Sequence, residues 1–246
     1  MINFLRRIRR NLINENKPSI YLVYAIGEVV LVVFGILIAL QIDNWNENQK
    51  LIRLEKEILG EIKHGLESDY ETVNRAIEDH LVFINSQNII VDWINRKYPF
   101  HDSLVPHFTH TFYTTLFLPN DAQFESLKQF GIRNISNKKL SDRLSHLYDY
   151  RYEEILFWQN EYKKTSIDFR STHDELGFET VRDPSSQIRV NIKPVDPEAL
   201  QLNKAYLFNL IVTSATLKIY TEEKLKLAQK EIEKTLEMLE KELSQE

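Results

Sequence analysis

The sequence predicts an all-α protein in which a single N-terminal transmembrane helix continues into a long helix of an antiparallel bundle outside the cytoplasm. Three observations carry this reading. Residues 20–42 are an unbroken run of 23 residues that hold fifteen Ile, Leu, Val or Phe side chains. Only four of the six glycines lie outside that run, too few for a turn-rich β fold. From Leu54 onward, apolar residues return in steps of four and three, the period of one helix face.

The first nineteen residues form a basic tail, with Arg6, Arg7, Arg9, Arg10 and Lys17 against the single acid Glu15. Beyond the apolar run only Lys50 and Arg53 stand nearby, so the positive-inside bias predicts a cytoplasmic N-terminus. Met1, Leu5, Ile8 and Leu12 recur on one side of the tail, which suits a short basic helix lying on anionic lipid.

A helix of 23 residues reaches ~34 Å, enough for a hydrocarbon core of about 30 Å. Its apolar side chains favour insertion by roughly 5 to 9 kcal/mol, and the mid-span acid Glu28 costs about 3. Insertion wins. The run is longer than a secretory h-region, and Ala39-Leu40-Gln41 is a poor cleavage site, so an uncleaved anchor is expected. Glu28, Gly35 and Ala39 fall within about 20° of one line on a helical wheel. Gly35-x-x-x-Ala39 allows close approach of a second helix, and an acid on that face can share a hydrogen bond with it. The face therefore predicts a membrane-protein partner or a homo-oligomer through the transmembrane helix. The competing reading keeps Glu28 protonated, or reaching toward Tyr24 and the headgroups.

Residues 43–246 are then one exported domain. The chain carries −5 in all, so with the basic tail and Glu28 set aside the exported part stands at −8. That excludes nucleic acid as a partner, because phosphate binding needs a basic footprint. With no cysteine, the domain must stand on packing alone.

The first outer helix carries Leu54, Ile58, Ile62, Leu66, Tyr70, Val73, Ile77, Leu81 and Ile84, and ends before Pro99. Gly60 and Gly65 are expected weak points. Residues 99–119 carry Leu104, Phe108, Phe112 and Leu116 at a spacing of four and read as a short helix, with a strand as the alternative. A helix from about Asn120 stops at Gly131, and Ser136 caps the next, which ends near Gly177. Residues 177–197 form a connector with three prolines, in which Ile188, Val190 and Ile192 alternate like a short strand. Asp196-Pro197-Glu198 then reads as the start of a C-terminal amphipathic helix over 198–246.

The search for chemistry returns little. Glu61 and His64 match one Glu-x-x-His of a di-iron bundle, but such sites need two copies. His101, His107 and His110 are the candidate metal ligands, without a convincing third donor type. Asp142 and His146 share a helix face, and Tyr148, Ile155, Trp158 and Tyr162 read as core rather than as a binding platform. No phosphate loop or nucleophile elbow appears. No catalytic constellation, metal or cofactor is expected.

A basic start followed by YAIGEVVLVVFGILIALQIDNWNE resembles the domain-of-unknown-function 6090 family of single-span proteins from Bacteroidota. The stretch FESLKQFGIRNISNKKLSDRLSHLY resembles that family's second recognisable block. The resemblance implies a Gram-negative inner membrane and a periplasmic domain. The family has no established activity, so no site residue carries over. The leading expectation is an envelope interaction or structural protein, with a periplasmic ligand-sensing bundle signalling through a partner in trans as the alternative. A membrane-anchored metalloenzyme is a further alternative.

Overall fold

The computed structural model describes residues 18–120, 122–182 and 190–244. The basic residues Arg6, Arg7, Arg9, Arg10 and Lys17, and Ile188 of the connector, lie outside the described residues. The chain divides into two compact units, Met1–Lys56 and Glu57–Glu246. Helix α1, Pro18–Arg96, contributes to both.

In the first unit α1 is the one helix among the described residues that is long and apolar enough to cross a membrane, and none of its most apolar window is buried. This length and composition are common to membrane spans and signal sequences.

In the second unit α1 turns a different face inward. Leu59, Ile62, Leu66, Val73, Ala76, Phe83, Ile90 and Ile94 are buried, and the steps of seven between some of them are divided into threes and fours by the buried Asp69, His80 and Gln87. The seam therefore keeps a seven-residue period that uses polar side chains at three of its positions. Ile62, Leu66, Val73 and Ile77 were legible from the apolar residues alone, but Leu54 and Leu81 are 43% and 42% exposed and lie off the seam. Gly60 and Gly65 do not break the helix. A β-carbon on Gly65 would sit 3.3 Å from Gln123 Oε1, so this glycine makes room for a neighbour rather than weakening α1.

After α1 ends at Arg96, a 3-10 turn Asp102–Leu104 leads into the short helix α2, Val105–His110. The helical spacing predicted to reach Leu116 stops there. The Thr111 amide and hydroxyl both donate to Phe108 O, at 3.1 and 2.7 Å, which closes the last turn. Residues 113–120 continue outside any helix or strand.

Helix α3, Ala122–Phe130, stops at Gly131 as expected, where φ is +96°. The cap of α4, Lys138–His146, is Asn137 rather than Ser136. Asn137 Oδ1 accepts from the Leu140 amide at 3.2 Å, the reach an N-cap needs, and its amide donates to Glu242 at 2.6 Å. A π-helical segment, Leu147–Tyr152, joins α4 to α5, Glu153–Leu176, which ends at Gly177 with φ +73°.

The described residues of the connector form two paired strands. Strand β1, Phe178–Arg182, pairs antiparallel with β2, Val190–Pro194, with Thr180 opposite Ile192. Strand β1 was not anticipated; the chain is mostly helical, as expected, with one two-stranded sheet among the described residues. Asp196 caps α6, Pro197–Leu202, with proline in its first turn, as expected. The predicted single C-terminal helix is broken at Asn203, whose extended backbone and side chain cap α7, Lys204–Lys218. A second π segment, Ile219–Leu225, leads into α8, Lys226–Leu243.

Hydrogen bonds and ion pairs join α1 to the last elements in opposite order. Lys63 meets Glu240 at 3.2 Å, Asn74 meets Gln229, His80 meets Thr221 at 3.0 Å, and Gln201 reaches the Trp93 carbonyl at 3.4 Å. Helices α5 and α7 lie alongside through Thr213 on the Thr165 carbonyl and Asn209 on Thr172. Two apolar clusters fill the interior, one around Leu66, Leu140 and Ile232, the other around Trp93, Phe108, Phe169 and Tyr206.

Candidate functional site

The densest buried chemistry surrounds residues 113–120, which bury Phe117 in the first apolar cluster and run without backbone partners of their own in a helix or sheet. Polar side chains on α1 and α5 take over that task, as buried backbone groups require. Asp69 Oδ1 accepts from the Asn120 amide at 2.9 Å, and its Oδ2 accepts from the Tyr152 hydroxyl at 2.7 Å. Gln159 Oε1 accepts from the Phe117 amide at 2.8 Å and from the Tyr220 hydroxyl at 2.9 Å. The Thr115 hydroxyl donates to Asp79 at 2.6 Å.

His80 completes the set. Its Nε2 lies 2.9 Å from the Thr115 carbonyl, which can only accept, so Nε2 carries the proton. Nδ1 lies 3.0 Å from the Thr221 hydroxyl, whose single proton is shared between it and the Leu217 carbonyl at 2.7 Å, and burial lowers the pKa of the imidazole, which favours the neutral ring. Burial also pushes the Tyr152, Tyr162 and Tyr220 hydroxyls above their ordinary pKa, in Tyr152 with the Asp69 charge adding to it, so each stays a hydrogen donor. The second π segment places Tyr220 and Thr221 side by side here, and the first buries Leu147 beside Tyr148 and Arg151 beside Tyr152. The extra residue in each π turn brings adjacent side chains inward together, which a regular helix does not do.

The three candidate metal ligands are separated. His107 and His110, one turn apart on α2, both direct Nδ1 at the buried hydroxyl of Ser86, at 3.1 and 3.0 Å. A serine hydroxyl donates once and can accept twice, so at most one of the two rings receives its proton and at least one donates from Nδ1. His101 instead accepts from its own Ser103 amide at 3.1 Å and caps the 3-10 turn in solvent. Among the described residues, no group of three or more His, Cys, Asp or Glu side chains is placed to hold a metal ion. Glu61 is exposed, and His64, 89% exposed, lies 3.7 Å from Glu67 on the outer face.

Asp142 and His146 line an open surface cleft with Arg143, Glu231 and Thr235. Arg151 grips both Glu231 oxygens at 2.9 and 3.0 Å and also meets Glu154, which accepts from Lys224 at 2.9 Å. Burial opposes the charge on Glu154, yet the Lys224 hydrogen bond and the Arg151 charge hold its pKa below the ordinary value. This alternating chain of charges ties α5 to α8.

In the first unit Glu28, Gly35 and Ala39 are exposed, and a β-carbon on Gly35 would meet nothing within 4 Å.

Comparison with protein-family models, curated proteins and solved structures finds no match to this chain.

Sequence reasoning missed Asp69, His80, Gln159 and Ser86. A signal existed for the first two, because they fall in step with the buried apolar seam of α1. Gln87 falls in step as well, but neither of its amide atoms has a hydrogen-bond partner among the described residues, and the residue is fully buried. A buried unpaired amide costs more than an apolar group of similar shape. Gln87→Leu is therefore expected to raise the unfolding free energy by about 1–2 kcal/mol in urea denaturation. A destabilised variant would mean that the amide is paired in the protein in solution.

Proposed function

We propose that this chain is a single-pass inner-membrane protein related to the domain-of-unknown-function 6090 family. In this reading its N-terminus is cytoplasmic, and it acts as an envelope interaction or structural protein that presents an acidic helical bundle to the periplasm. The observation that carries the reading is the apolar face of α1 between Leu22 and Ile42, which no other described residue covers. An apolar helix left bare over twenty residues has a lipid bilayer as its natural solvent. The acid Glu28, placed in line with Gly35 and Ala39, makes that helix a contact surface for a second helix.

Topology is tested by fusing reporters to the C-terminus. An enzyme active only in the cytoplasm is expected to stay silent there, and one active only in the periplasm is expected to work. The contact face is tested in native membranes. Glu28→Leu is expected to reduce a crosslinked species of the full-length protein at least several-fold, and an unchanged crosslink removes the contact from the proposal.

A further inference from the structure

Four of the seven histidines hold one short stretch of chain, residues 105–115. His107 and His110, on α2, meet Ser86 of α1. His80 of α1 meets the Thr115 carbonyl at 2.9 Å. His173 of α5 sets its ring centre 3.9 Å from that of Phe112. The stretch closes over the second apolar cluster, in which Phe108 is fully buried and against which Phe112 packs. Its one helix, α2, is six residues long.

We infer that residues 105–115 form an acid-released strap: histidines uncharged at neutral pH clamp it, and their protonation lifts it off the second apolar cluster while the first stays folded.

Acid acts here because the new charge has no water to enter. His80 is fully buried, and His173 is buried with neither ring nitrogen hydrogen-bonded among the described residues. At Ser86, protonation of both rings sets two like charges on one hydroxyl.

Charged groups of both signs surround the strap. Asp79 beside His80, and Asp174 at 3.6 Å from His173, favour protonation in the closed state. Arg170, which donates to the Phe112 carbonyl at 2.7 Å, opposes it at His173. On the paired strands Lys193 meets Glu179 at 2.9 Å, with the charge of Asp102 on the turn before α2 adding to that pull. Tyr162 and Tyr220, whose rings face His80, stay uncharged because burial raises their pKa. Burial outweighs Asp79 at His80 and Asp174 at His173, and it lowers His107 as well, so the closed strap resists protonation at all three. Released into water, the same rings titrate near 6.5. A pKa lower in the closed state than in the open one moves the balance toward opening as the pH falls below about 6.5.

The opening is local because the first apolar cluster takes no residue from 105–115. None of this depends on α1 crossing a membrane.

The chain has no cysteine, so single cysteines report cleanly. Thr111 is buried in the strap, Ala228 is buried in the first cluster on α8, and the Lys164 side chain is 70% exposed. Full-length Thr111→Cys, Ala228→Cys and Lys164→Cys are labelled with a pyridyl disulfide, which reacts with thiols in acid as well as at neutral pH. Each rate is divided by that of Lys164→Cys at the same pH. The Thr111→Cys rate is expected to rise at least tenfold from pH 7.5 to pH 5.0 and to exceed that of Ala228→Cys at least tenfold at pH 5.0, with helical circular dichroism unchanged. Adding His173→Gln is expected to cut the rise at least fivefold. Should that variant already be open at pH 7.5, His107→Gln is read in its place and is expected to cut the rise at least twofold. A rate at 111 that does not change with pH, equal rates at 111 and 228, or a rise that the glutamine variant leaves intact overturns the inference.

Discussion

Asp69→Ala is expected to lower the unfolding free energy by about 3–5 kcal/mol, the largest effect of any single substitution outside the apolar seams. Asp69 is 2% exposed, and its two oxygens satisfy the Asn120 amide and the Tyr152 hydroxyl. Alanine removes both acceptors at once and leaves two buried donors unpaired, at about 1–3 kcal/mol each. It also frees residues 113–120 at one end, since nothing in a helix or sheet holds them. Asp69→Asn keeps the shape and one good acceptor, so about 1–2 kcal/mol is expected for it. Urea denaturation of the full-length protein in detergent, followed by tryptophan fluorescence, measures both. A cost under about 1 kcal/mol for the alanine variant would mean that water replaces Asp69 and that the segment is held elsewhere.

Acidification supplies the second large effect. His173 is 6% exposed, with its ring centre 3.3 Å from that of Phe178 and 3.9 Å from that of Phe112. Burial among these rings pushes its pKa down to about 4, even though Asp174 lies 3.6 Å away and pulls the other way. In the unfolded chain the same ring titrates near 6.5. Above pH 6.5 both states are neutral and the full stability is present. Between pH 6.5 and 4 only the unfolded chain takes up the proton, so stability falls as the pH drops, by about 3 kcal/mol in all. His80 acts in the same direction, because burial lowers its pKa too. His173→Gln removes the titrating ring. The stability gap between the parent and this variant is expected to narrow by about 3 kcal/mol from pH 7.5 to pH 4. If the gap is flat across that range, His173 does not titrate in the unfolding reaction.

Much of the helical layout was legible because it rests on local rules. Gly131 and Gly177 end helices through backbone angles that favour glycine, and Asp196-Pro197 starts one through a cap and a fixed φ. The errors have physical causes of the opposite kind. Asn203 breaks the C-terminal helix because its extended backbone caps a new start, and nothing in the apolar spacing around it marks that choice. The strand pair was half seen, since Val190 and Ile192 alternate, whereas Phe178–Arg182 becomes a strand only because β2 is there to pair with it. The histidines show the same division: His107 and His110 meet on Ser86, a residue about twenty positions earlier that carries no mark of its own in the sequence.

By itself the amino-acid sequence determined the features that short-range chemistry sets: a long apolar helix near the N-terminus, a mostly helical body, and many of the points where helices begin and end. Tertiary structure alone decided which polar side chains became the interior supports of residues 113–120, and which histidines were gathered on residues 105–115. Both depend on which distant elements arrive alongside. A carboxyl group such as Asp69 reads as a solvated charge until an amide and a hydroxyl from far along the chain are brought to within hydrogen-bonding distance of it.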